Sequence, residues 1–166
     1  MSKQSESPVL VGIDFSSGSR AAFAWAVDAA LAFDAPLVAL HVVHDPAEAP
    51  GYYVREDSTK VEELERVAQQ MLDDFLTEVR EAMPRLGALC GLESWVVVGL
   101  PATRIIEVAD REGAQLIVMG AHGRTGLADA LLGSKVERVT RLARIPVTVV
   151  KELQADAPNL DAAEAD

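Results

Sequence analysis

Apolar positions recur along this chain in two rhythms. Val9-Leu-Val-Gly-Ile13 is a short, mostly β-branched run closed by Asp14 and the turn-prone Ser16-Ser17-Gly18, the pattern of a parallel strand buried on both faces. Ala22, Trp25, Ala26, Ala29, Ala30 and Phe33 then fall at helical spacing and predict a helix over about 19 to 33 with those side chains on its apolar face. Pro36 ends it. Leu37 to Val43 reads as a second buried strand, and the stretch from His44 to Asp57, with Pro46, Pro50 and Gly51, has neither period and reads as a loop.

A long helix follows over about 59 to 83, because Val61, Leu64, Ala68, Met71, Leu72, Phe75, Val79 and Ala82 trace one stripe while charged and amide side chains fill the rest. Pro84 and Gly87 punctuate the chain before a third strand from Leu92 to Val98. Pro101 suits the first turn of a helix carrying Ile105, Ile106 and Ala109, and Gln115 to Met119 is a fourth strand. A glycine-rich loop, a helix over about 135 to 143 and a fifth strand from Pro146 to Val150 complete the series. Strands alternating with helices of these lengths predict an α/β fold: one open five-stranded parallel sheet, Rossmann-like, with helices on both faces. The domain should occupy 8–151, between a flexible start (1–7) and an acidic tail (152–166). In such sheets ligands lie beyond the carboxyl ends of the strands, near the point where the winding direction changes.

Composition narrows the partners. Among 166 residues, 26 Asp and Glu against 15 Lys and Arg give a formal net charge of -11, which repels a phosphate backbone and argues against nucleic acid. The single cysteine, Cys90, has no internal partner for a disulfide and is expected to be a small buried hydrophobe. The polar start lacks the features of a signal peptide, and no apolar run approaches the roughly 18 to 20 residues that span a bilayer. A soluble cytoplasmic protein with no membrane attachment is expected.

The most informative stretch follows the fourth strand: Gly120-Ala-His-Gly123-Arg-Thr-Gly126, then Gly133-Ser134 directly before a helix. Glycines let backbone amides approach a ligand, and a helix starting at this point presents unpaired N–H groups and a positive dipole end to an anion. A phosphate chain is the natural occupant. The dipole alone contributes only about 0.3 to 1 kcal/mol per exposed charge, so several amides and a divalent cation are needed as well. The spacing matches neither the dinucleotide fingerprint nor the Walker loop.

Gly120, Gly123, Gly133 and Ser134 instead match the G-x2-G-x9-G-[ST] pattern of the nucleotide-binding branch of the universal stress protein family, which this chain resembles from Val9 to Lys151. The other carriers of the resemblance are Asp14 ending the first strand, His41-Val42 in the second, Val-Met119-Gly-Ala-His-Gly123, and Pro146-Val-Thr-Val-Val-Lys151. The resemblance implies an adenine nucleotide, ATP or AMP/ADP, with Mg2+ held through its phosphates and by no protein side chain. Asp14 and Val42 would flank the adenine, with Gly12 and Ile13 beside it and Gly120 near the ribose, followed by Met119 and His122 of the loop. Gly123, Gly133, Ser134 and the amide of Lys135 would hold the phosphates. It further implies a homodimer through 146–150 and a nucleotide-dependent switch or binding module of the stress response. Rival expectations are a slow ATPase or autokinase, and a dimeric interaction protein that binds no nucleotide.

Several of these residues have plainer explanations. Ser134 with Glu137 forms the S-x-x-E pattern of a capping box, and Asp14 suits capping of the first helix. Lys135 and Arg124 either touch phosphate or face solvent. His41 reads as a hydrogen-bonded structural histidine. His122 has no neighbour at the spacing of a nucleophile and base pair, so no catalytic residue is assigned.

Overall fold

The computed structural model describes residues 7–44, 58–122 and 132–152. The elements are β1 (Val9–Ile13), α1 (Ser17–Phe33), β2 (Leu37–His44), α2 (Ser58–Ala82), β3 (Leu92–Gly99), α3 (Pro101–Arg111), β4 (Leu116–Gly120), α4 (Ser134–Leu142) and β5 (Val147–Val150). The strands form one parallel sheet in the order β3-β2-β1-β4-β5. Winding goes outward from β1 in one direction through β2 and β3, then returns to β4 on the other side. The change of direction therefore lies between β1 and β4.

Parity along the strands builds two cores. Val9, Val11 and Ile13 of β1, Leu37 and Ala39 of β2, and Leu116 and Val118 of β4 face α1 and α2. Leu10, Val38, Leu40, Ile117 and Met119 face α3 and α4. Strands covered on both sides must be apolar at every position, which is why they appear as continuous runs. Phe23, Leu72 and Val139 are fully buried and attach α1, α2 and α4 to these layers; replacing Leu72 by alanine would cost about 2–5 kcal/mol.

Two expectations are corrected and a third is given its form. The stripe on α1 is turned: Phe23 and Val27 are buried with Ala22, Ala26, Ala29 and Ala30, whereas Trp25 is 41% and Phe33 53% exposed. Alanine-rich α1 is apolar nearly all round, so spacing alone does not fix which side faces the sheet. Cys90 is exposed, in the turn that leads into β3. The punctuation at Pro84 and Gly87 is a short 3-10 helix, Pro84–Ala88, with Pro84 in its first turn. Leu86 makes it an anchor to the core, 8% exposed. Among the described residues no helix is long and apolar enough to cross a membrane.

Candidate functional site

A cavity of about 580 Å3 opens at the carboxyl ends of β1, β2 and β4, within the usual range of small-molecule sites, about 300 to 1,000 Å3. Gly12, Ile13, Asp14, Val42, Met119, Gly120, His122, Gly133, Ser134 and Lys135 all line it. Gly123 and Arg124 lie outside the described residues. Sequence reading had not attributed to the site Ser19, Leu40, His41, Pro101, Ile105 or the face of α2 bearing Leu64, Val67 and Met71.

The wall at β1 is built by a chain of short polar contacts. Asp14 Oδ1 accepts from the backbone N–H of Ser16 at 3.1 Å and from the Ser16 hydroxyl. The Ser16 side chain caps α1 by accepting from Ser19 N–H at 3.1 Å, and the Ser19 hydroxyl donates to Ser16 O at 3.0 Å. Asp14 is thus not the cap itself; it braces the cap while bordering the cavity. Between them Phe15 adopts φ 64, a left-handed conformation that costs a non-glycine residue about 1–2 kcal/mol. Its ring rests on His41 (4.6 Å) and edge-on to Phe75 (6.3 Å), and that packing offsets the backbone cost. The carbonyl of Ile13 can only accept, so its 2.7 Å contact with His41 places a proton on Nδ1. His41 is the structural histidine its sequence context suggests, and it also lines the cavity.

At the other wall α4 begins with Gly133 as N-cap and no side-chain capping bond. The S-x-x-E pattern therefore does not make a capping box: Ser134 is already the first helical residue, one position too late to cap. Gly133 N–H donates to Ala121 O at 3.1 Å, drawing the start of α4 against the end of β4. Lys135 is exposed and lines the cavity from the first turn.

The two motif glycines differ in their reason. A Cβ on Gly120 would stand 2.7 Å from Gly18 C and 2.8 Å from Gly18 O, so only glycine lets α1 come this close to β4. A Cβ on Gly133 would meet Ala121 O at 3.6 Å and Val136 at 4.0 Å, ordinary contacts, and its φ of -57 suits any residue. Among the described residues nothing requires a glycine there. Among the described residues no group of three His, Cys, Asp or Glu side chains could hold a metal ion.

The family model for the universal stress protein family matches residues 7–151. The chain belongs to the universal stress protein family. The universal stress protein Rv2623 of Mycobacterium tuberculosis is 38% identical over 149 residues, covering 89% of this chain and 46% of that relative; the chain thus spans about half of that relative's length. The solved UspA of Lactobacillus plantarum superposes with a TM-score of 0.67 at 24% identity, covering 87% of this chain and 97% of that one. A universal stress protein solved in complex with cAMP superposes at 0.60 with 28% identity, covering 89% and 98%.

Proposed function

We propose that this protein binds an adenine nucleotide, ATP with Mg2+ in the first place, in the cavity at the carboxyl edge of the sheet, and acts as a nucleotide-dependent binding module. The observation that carries the reading is the start of α4: amides that no side chain among the described residues caps, opening into the cavity behind a glycine whose φ and described neighbours do not demand one. Phosphates would lie there, on the amides of Ser134 and Lys135, where the helix dipole favours negative charge. The residues present fit that group. Asp14 and Val42 would border the base, with Gly12 and Met119 beneath it. The cAMP held by a family structure gives the adenine class independent support. The bound nucleotide would supply the charge of its phosphates and, through them, a site for Mg2+; the chain would bind and orient it, with no residue assigned to hydrolysis.

The test is the melting temperature of nucleotide-stripped protein with and without millimolar MgATP. At a free concentration of 100 times Kd the folded state gains about 2.7 kcal/mol, a rise of roughly 5 to 10 °C for a chain of this size. The rise is expected with ATP and not with GTP; its absence overturns the reading.

The assembly proposed with it is a homodimer through β5. This strand pairs with β4 on one side and stands at the sheet edge on the other. Its apolar Val147, Val149 and Val150 would otherwise leave an edge prone to non-specific pairing. Sedimentation at micromolar concentration is expected to give twice the chain mass, and a monomer would refute it.

A further inference from the structure

The amphipathic stripe of α2 outruns the core that it serves. From Leu72 onward it buries Leu72, Phe75, Leu76 and Val79 on the sheet, whereas nearer its start Leu64, Val67 and Met71 are 48%, 46% and 39% exposed. These three, at helical spacing, line the cavity, while their exposed neighbours on α2 are Glu62, Glu63, Arg66 and Gln70. Parity explains the arrangement. Gly12, Leu40 and Val42 turn to the α3 and α4 side of the sheet, but Ile13, His41 and Val43 turn to the α2 side. The cavity therefore wraps over the ends of β1 and β2 and has two sides, one reaching the start of α4 and the other walled by α2. Among the described residues the second wall is apolar apart from Ser19 at the start of α1 and His41, whose Nδ1 proton is committed to Ile13 O.

We propose that the α2 side is a subsite for an apolar substituent, of aryl or prenyl size, carried on the base of the adenine nucleotide. The inference rests on the nucleotide reading above. With phosphates at α4 and the base beside Asp14 and Val42, a group on the outer edge of the base passes over β1 and β2 and meets Leu64, Val67 and Met71. Three exposed apolar side chains on an otherwise charged helix face gain most from such a cover, because burial of apolar surface is the driving term.

Calorimetric titration of the full chain with MgATP and with N6-benzyl-ATP tests it. The benzyl compound is expected to bind about tenfold tighter, the effect of removing roughly 60 Å2 of apolar surface from water, with a more negative heat-capacity change. Val67→Glu and, separately, Leu64→Ser are expected to abolish that preference; both positions are exposed, so the fold tolerates polar side chains there. Equal affinity of the two nucleotides for the natural chain overturns the subsite while leaving the nucleotide site standing. A preference that survives both substitutions overturns its location on α2. Binding of neither nucleotide overturns both readings together.

Discussion

Two helices begin at the same cavity and satisfy their first turns in opposite ways. α1 is closed by its own sequence: the Ser16 side chain takes Ser19 N–H, and Asp14 holds Ser16 in place. α4 starts at Gly133 with no side-chain cap. A helix start leaves up to four N–H groups to water or a ligand; Gly133 N–H is taken by Ala121 O, and Ser, Asp or Asn at 133 would cap one more, as Ser16 does in α1. The contrast separates a helix start that belongs to the scaffold from one that is available to an anion.

Among changes around the two helix starts, the largest effect on stability is expected where the scaffold helix meets the sheet. Gly120→Ala drives a Cβ into the backbone of Gly18, an overpacking that costs about 1–3 kcal/mol. Thermal unfolding should drop by roughly 3 to 10 °C. An unchanged melting temperature would mean that the close approach of α1 to β4 is not needed.

Gly133→Asp makes α4 resemble α1. A Cβ at 133 makes only ordinary contacts and the backbone conformation suits it, so stability should hold or rise by a few tenths of a kcal/mol. The new carboxylate would occupy the free amides and repel phosphate across a few ångströms, about 1 kcal/mol or more at that range. ATP affinity is expected to fall at least tenfold in titration calorimetry. Loss of stability without loss of affinity would reverse the assignment of the two helices.

The contrast also marks what could be seen in the sequence. Five strands and their order along the chain were legible because buried parallel strands leave strong local patterns. What escaped depended on offsets of one residue or on tertiary distance. Ser134 and Glu137 have the spacing of a capping box, but the helix begins one residue early and the box cannot close. Gly120 and Gly133 look alike in the motif, and only the position of Gly18 distinguishes a packing glycine from a dispensable one. Leu64 and Met71 continue a core stripe in sequence, yet the sheet beneath them has ended and they face the cavity. Cys90 follows an apolar Leu89 and still lies exposed, because its place in a turn outweighs its residue type.

The smallest effect is expected at the cap of α1. Ser16→Ala removes the acceptor for Ser19 N–H and one of the two bonds to Asp14, a loss of about 1 kcal/mol and roughly 2 to 4 °C in melting temperature. Ser16→Thr, which keeps the hydroxyl, should recover most of it. ATP affinity should stay within twofold, because the amide exposed by the change belongs to the helix whose start is held by the scaffold. A tenfold change in affinity would mean that both helix starts hold the ligand, and that the division between a closed α1 and an open α4 is drawn in the wrong place.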